Sequence, residues 1–426
     1  MRTLVVQGVV DLPGDKSISH RALILAALGT GRSEIRGLLA SEDTRATARC
    51  LAQLGRAAAE PAPVVTVDGH GLRLRHAPDE ASLDCANSGT TARLLAGVCA
   101  AQESVAVLDG DASLRARPMQ RIARPLAEMG AGIYWRGASP GTLPMEVRGG
   151  GLRSVRYDLD VPSAQVKSGI LLAGLCAGVP VALREPMPTR DHTERLLQSL
   201  GVDLVSRDGW LELTPPLALP AASYDVPADP SSAAFFAALA TASARGSLTL
   251  RGVLLNPRRT GFLRVLERMG GIFDVHNERI TGGEPVGDVV VHASPLRGTA
   301  IEAHEVPDLV DEVPILGVLA AMADGETTLS GAAELRVKES DRLAAMVENL
   351  RRCGVDADER PDGFVVQGGG TITSAPIATY HDHRIAMAFA ILSAVTGVTL
   401  PLDHPASVDV SYPGFFADLS RVTRVS

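Results

Sequence analysis

The chain has 426 residues, is 46% hydrophobic but only 4% aromatic, and carries a formal charge of −8. That length predicts two domains, each with a core filled largely by Ala and Leu. The acidic balance argues against a general nucleic-acid binder, which needs a basic surface. No 18-residue uncharged run suggests a membrane span, and the apolar stretch near Met1 is too short for a signal peptide, so a soluble, cytoplasmic protein is expected.

In chain order, one pattern returns six times. A polar cluster opens an Ala/Leu-rich helix, and a break and a short strand follow. The predicted helices lie at 19–31, 89–102, 163–178, 231–246, 311–325 and 382–397. The strands after them read SEIRG, SVAVLDG, PVALRE, SLTLRG, TTLSG and VTLPL. These helices are apolar on nearly every face, which places them inside a domain.

A second, amphipathic helix type interleaves with the first and ends at Gly55, Gly130, Gly201, Gly270 and Gly354, as left-handed caps would. Strand pairs follow several of them, such as VDLVSRDGWLEL with Asp208-Gly209 at its turn. The repeat is strand, buried helix, strand, amphipathic helix, strand pair. Its long period counts against a solenoid. Six repeats divide into two domains of three, with crossings at Pro13-Gly14 and Asp225–Pro230. The expected domains are 1–14 with 228–426, and 15–227.

Polar residues gather where the buried helices begin, and helix N-termini favour anions. Lys16, Arg21, Arg93 and Arg384 decorate these ends, which together suit phosphate or carboxylate ligands. GDKSISHR lacks P-loop spacing, because Asp15 separates Gly14 from Lys16. In LRVKESDRL, a helix would put Lys338 with Arg342, and Glu339 with Arg342, on one face. Asp311 and Glu312 open the preceding buried helix, and Arg115 and Arg117 fall in a loop before Pro118. His381-Asp382-His383 lacks a third ligand cluster, so no metal is expected. The five cysteines lack paired metal spacing and read as reduced core residues. Only three of the 41 basic residues are lysine, at 16, 167 and 338. A lysine kept against such a bias suits a place needing a compact charge that can lose its proton.

GDKSISHR, NSGTTAR, LRARPM, PSAQVKSG, RDHTERLL, LRVKESDRL and DHRIAMAF occur in one order along essentially the whole chain. Together they strongly resemble the 3-phosphoshikimate 1-carboxyvinyltransferase (EPSP synthase) family. The resemblance implies an α/β, two-domain enolpyruvyl-transferase fold, an inverse α/β barrel with three βαβαββ repeats and buried parallel helices in each domain. It implies transfer of the enolpyruvyl group of phosphoenolpyruvate to the 5-hydroxyl of shikimate 3-phosphate, by a monomer without cofactor. The 228–426 domain would lie on the phosphoenolpyruvate side and the 15–227 domain on the shikimate 3-phosphate side.

By motif, Lys16, Ser17, Arg21, Ser163, Gln165, Arg190, Asp311 and Lys338 would bind shikimate 3-phosphate. Lys16, Asn87, Gly89, Arg117, Gln165, Arg342 and Arg384 would bind phosphoenolpyruvate, with Gly89 leaving room for glyphosate. The resemblance makes Lys16, Asp311 and Glu339 the catalytic set: Asp311 is the candidate to take the hydroxyl proton and Glu339 to protonate the methylene carbon, Lys16 is a further candidate proton carrier, and the motifs do not divide the steps among the three. Val410 stands where some relatives place a phosphoenolpyruvate-binding lysine, Glu334 where some have asparagine, and Ala164 where some have serine. The sister enzyme acting on UDP-N-acetylglucosamine usually has a reactive cysteine in the loop here spelled DASLRARP, and this chain has none there. The remaining alternative is a non-catalytic anion-binding relative.

Overall fold

The structure, a computed structural model, describes residues 4–56, 62–74 and 80–425. The chain divides into two compact units. The N-terminal unit comprises Gly14–Val226 with Thr281–Glu284; the C-terminal unit comprises Met1–Pro13, Pro227–Ile280 and Pro285–Ser426.

In the N-terminal unit the helices are α1 (Lys16–Leu28), α2 (Glu42–Gln53), α3 (Gly89–Ala100), α4 (Ala112–Arg115), α5 (Gln120–Met129), α6 (Ala164–Ala177) and α7 (His192–Ser199). Helices α1, α3 and α6 are the buried type: from Ile18 to Leu28 every residue of α1 is buried. Side chains cap their starts, Asp15 accepting from the Ile18 N–H, Ser88 from Thr91 and Ser163 from Val166, which satisfies otherwise orphaned donors. Helices α3 and α6 touch backbone to backbone, for a Cβ on Gly97 would lie 1.9 Å from the Gly169 carbonyl oxygen. That close approach requires glycine and sets the two helix starts beside each other.

The sheets lie outside these helices. In one, Glu80–Asp84 runs parallel to Val105–Asp109, which pairs antiparallel with Met145–Arg148, itself hydrogen-bonded to Gly132–Trp135. Val155–Asp158, Val181–Arg184, Trp210–Thr214 and Asp203–Arg207 repeat the arrangement. In the first repeat, Ser223–Asp225 returns from the end of the unit as the parallel partner of Gly29–Arg36.

The C-terminal unit holds α8 (Pro230–Ala242), α9 (Gly261–Arg268), α10 (Val313–Met322), α11 (Arg342–Arg352), α12 (His383–Thr396) and α13 (Phe415–Val422). Helices α8, α10 and α12 form the apolar interior. Leu4–Val10 runs parallel to Arg245–Leu254, and Ala300–Ile301 parallel to Glu326–Leu329. These βαβαββ repeats are the fold expected from the sequence. All of the glycines closing the amphipathic helices have positive φ, from 75° at Gly55 to 113° at Gly130. The 208–209 turn has φ of 50° and 78°, as a tight hairpin demands.

Four local expectations are corrected. VTLPL forms no strand beyond a bridge from Leu402 to Ile377, because Pro401 lacks a ladder donor. Asp311 and Glu312 lie not within α10 but in a 3₁₀ turn, Val310–Glu312, whose last residue, Glu312, takes the N-cap position of α10. LRVKESDRL is not one helix: a 3₁₀ turn ends at Val337, Lys338 is extended, and α11 begins only at Arg342, capped by Asp341. Arg115, expected in a loop, closes the short helix α4 and pairs with Asp109 at 2.6 Å.

Candidate active site

In the N-terminal unit, Lys16 is the first residue of α1 and its Nζ lies 2.9 Å from Asp43 Oδ2. One turn on, Arg21 is buried, and its Nη1 donates to the Ser17 carbonyl at 2.9 Å. Burial lowers the Arg21 pKa to about 10, Arg190 adding to that effect while Glu194 and Asp15 oppose it. Arg21 and Arg190 therefore feel each other's charge, an arrangement that a bound polyanion would relieve.

At the start of α3, Asn87 donates to Asp111 at 2.6 Å and accepts from Arg117 Nη2 at 2.7 Å. Gly89 is the first helical residue, and a Cβ there would stand 2.6 Å from Arg93 Nη1 and 3.6 Å from Arg117 Nη1. Arg93 received no role in the motif assignment, yet it ties the region together. It donates to Gln165 Oε1 at 2.8 Å and to the Pro118 carbonyl at 3.0 Å. Gln165 in turn donates to Thr90 at 3.0 Å. Ser163 caps α6 one residue before this helix begins. Six expected residues are thus gathered at three helix starts: Lys16, Ser17 and Arg21 on α1, Gly89 on α3, Ser163 and Gln165 on α6.

The C-terminal unit holds a second cluster around Arg342, whose side chain is 1% exposed. Its Nη2 lies 2.6 Å from Glu339 Oε2, its Nη1 3.4 Å from Asp311 Oδ1, and its Nε 2.8 Å from Asp382 Oδ2. Arg384 donates to the Asp311 carbonyl at 3.0 Å. Asp311 and Glu339 keep 16% and 26% exposure, so two partly accessible carboxyls share one buried guanidinium. Burial lowers the Lys338 pKa, and Arg342 adds to that, while Asp311 and Glu339 resist it. An ammonium so disposed surrenders its proton more readily than an ordinary lysine. The turn carrying Asp311 is held from behind: buried Glu312 accepts from the Ser231 hydroxyl, which also accepts from Arg259 at 3.0 Å.

His381 stacks on His404 with ring centroids 3.9 Å apart, and His383 is buried in the first turn of α12. Among the described residues, Asp191, His192 and Glu284 also bring possible metal-ligand atoms together. Arg195 lies 2.8 Å from Asp191 and 3.7 Å from Glu284, and His192 Nδ1 2.7 Å from Glu284, which makes this an ion cluster. All five cysteines are free and buried.

Each unit is built of βαβαββ repeats and carries charged clusters near the starts of its buried helices. A family model, EPSP synthase (3-phosphoshikimate 1-carboxyvinyltransferase), matches residues 3–419. The chain is 49% identical over 416 residues to the 3-phosphoshikimate 1-carboxyvinyltransferase of Xanthomonas campestris pv. campestris (strain B100), covering 97% of this chain and 94% of that one. It is 45% identical to the protein of that name from Roseiflexus sp. (strain RS-1), covering 98% and 97%. A solved structure of EPSP synthase from Acinetobacter baumannii superposes with a TM-score of 0.88 at 39% identity, covering 100% of both chains. The chain belongs to the EPSP synthase family.

Proposed function

We propose that the protein transfers the enolpyruvyl group of phosphoenolpyruvate to the 5-hydroxyl of shikimate 3-phosphate, giving 5-enolpyruvylshikimate 3-phosphate and phosphate. Family membership supports this reaction, and the matched family is not that of the UDP-N-acetylglucosamine enzyme. The observation that carries the mechanism is the pair of partly exposed carboxyls, Asp311 and Glu339, on one buried guanidinium. Addition needs a proton delivered to C3 of phosphoenolpyruvate while C2 takes the hydroxyl oxygen, whose proton must leave. Elimination reverses the C3 step and expels phosphate. Two carboxyls in different surroundings can divide this work. In this reading Glu339 gives the proton to C3 and recovers it, and Asp311 receives the hydroxyl proton, with Lys16 a second proton carrier.

Both substrates carry phosphate and carboxylate, so cations must gather them against their repulsion. Arg21, Arg190, Ser17, Ser163, Gln165 and Lys338 are assigned to shikimate 3-phosphate. Arg117, Arg342, Arg384, Asn87 and Gly89 are assigned to phosphoenolpyruvate, Lys16 and Gln165 serve both, and Asp311 also belongs to the shikimate 3-phosphate set. The monomeric state, the cytoplasmic location and the lack of a cofactor belong to the same proposal. Among the described residues, no helix is long and apolar enough to cross a membrane. The test is phosphate release from phosphoenolpyruvate with each of two acceptors. Release is expected with shikimate 3-phosphate and not with UDP-N-acetylglucosamine; no release with the first, from folded protein, overturns the proposal.

A further inference from the structure

Lys167 has no contact assigned by the motifs, yet its side chain is only 2% exposed. Its Nζ lies 2.8 Å from Glu185 Oε2 and 2.6 Å from Glu194 Oε1. Burial would strip its proton, but the two carboxylates overcome that and hold its pKa above the ordinary lysine value. Burying such ions carries a desolvation cost that only close, well-placed counter-charges offset.

The adjoining residues show what the contacts hold. Ser168 follows Lys167 on α6, and Thr193 precedes Glu194 on α7. Thr193 donates its hydroxyl to Ser168 Oγ at 2.7 Å, and Ser168 donates its own to the Ala164 carbonyl at 2.6 Å. Arg21 donates through Nε to Thr193 at 2.7 Å and through Nη2 to Ser168 at 2.8 Å. Every hydroxyl proton is placed, so the guanidinium fits one relation of α6 to α7. The ion pair is the next rung of the same ladder. On its other side, Glu185 accepts from the Thr189 hydroxyl, immediately before Arg190.

We propose that Lys167 is a positioning residue for shikimate 3-phosphate: it clamps Glu194 and Glu185, placing Arg21 through the Ser168–Thr193 pair and Arg190 through the connection 185–191 that leads into α7. The proposal rests on the reading of Arg21 and Arg190 as ligands of that substrate. It also explains the residue type, because a single compact ammonium meets two carboxylates in closed space, where a planar fork would push them apart.

The experiment compares the wild-type protein with Lys167→Met, Lys167→Arg and Arg21→Met by calorimetric titration with shikimate 3-phosphate alone, followed by steady-state kinetics. Both Lys167 variants are expected to raise the dissociation constant about tenfold or more, leaving kcat and the phosphoenolpyruvate KM within about twofold at saturating shikimate 3-phosphate. A role in stability alone would lower the melting temperature without this split, and that result overturns the proposal. Arg21→Met separates the two levels. If it weakens binding and the Lys167 variants do not, only the positioning role fails; if it does not weaken binding, the ligand reading fails too. Should Lys167→Met not fold, Glu185→Gln retains the Lys167–Glu194 pair and frees the loop. Several-fold weaker binding is then expected, and unchanged binding overturns the proposal.

Discussion

Arg342 donates through Nε to Asp382 Oδ2 at 2.8 Å, and neither side chain is more than 1% exposed. Asp382 also caps α12 and accepts the Ser340 hydroxyl at 3.0 Å. The guanidinium is therefore pinned along its back edge, and its terminal nitrogens point to Asp311 and Glu339. Burial alone would raise the Asp382 pKa, but Arg342 and His383 outweigh it and hold it below the ordinary 3.8.

Asp382→Asn should keep the helix cap but leave Arg342 without its buried counter-charge. We expect a loss of about 3 kcal/mol in stability and a fall of about 100-fold in kcat/KM for phosphoenolpyruvate. Because the native pKa is depressed, the carboxylate's stabilisation is present above 3.8 and is lost only as pH falls through the lower native value. The variant's deficit in urea unfolding should accordingly be the same at pH 8 as at pH 5.

Lys16 sits at a helix start with its ammonium 2.9 Å from Asp43. Lys16→Arg preserves charge but substitutes a broad fork that does not readily deprotonate. Its kcat should fall at least about tenfold, about 1.4 kcal/mol, with an unchanged melting temperature. Near-wild-type turnover would remove the special role given to the ammonium.

His20 is wholly buried, its Nδ1 2.7 Å from Thr47 Oγ1. Burial lowers its pKa from 6.5 to about 3, Lys16 and Arg21 contributing and Asp43 and Asp15 opposing. Below pH 6.5 the unfolded chain takes up a proton that the native protein refuses, so stability falls as pH drops toward 3. Between pH 7.5 and 5, His20→Gln should lose about 2 kcal/mol less than wild type in urea unfolding. Parallel losses would contradict this.

Gly97→Ala tests the contact that brings α3 to α6. Its Cβ would meet the Gly169 carbonyl oxygen at 1.9 Å, and backbone cannot swing aside as a side chain can. A destabilisation of about 3 kcal/mol is expected, read as a lower urea midpoint. Because Arg93 reaches Gln165 across the same interface, activity should fall with it.

Much of the fold was legible because its signals are local. Unbroken Ala/Leu runs marked the buried helices, and glycines at fixed positions marked the ends of the amphipathic ones. LRVKESDRL misled because charges at i,i+3 and i,i+4 suggest a helix face, although Asp341 before Arg342 is itself a start signal. Glu339 still reaches Arg342, through a turn rather than along a helix. The links Arg93–Gln165, Arg21–Thr193 and Arg342–Asp382 join residues 72, 172 and 40 apart. No periodicity reports such pairs; they exist only once the buried helices have packed.

In the proposed mechanism Asp311 and Glu339 move the protons of the reaction, a role that single-turnover phosphate release measures. With the protein in excess over limiting shikimate 3-phosphate and phosphoenolpyruvate saturating, the wild-type protein should release one phosphate per shikimate 3-phosphate in a single fast phase. Asp311→Asn and Glu339→Gln should each bind both substrates yet release phosphate at least about 100-fold more slowly. Release at the wild-type rate from either variant would contradict the account.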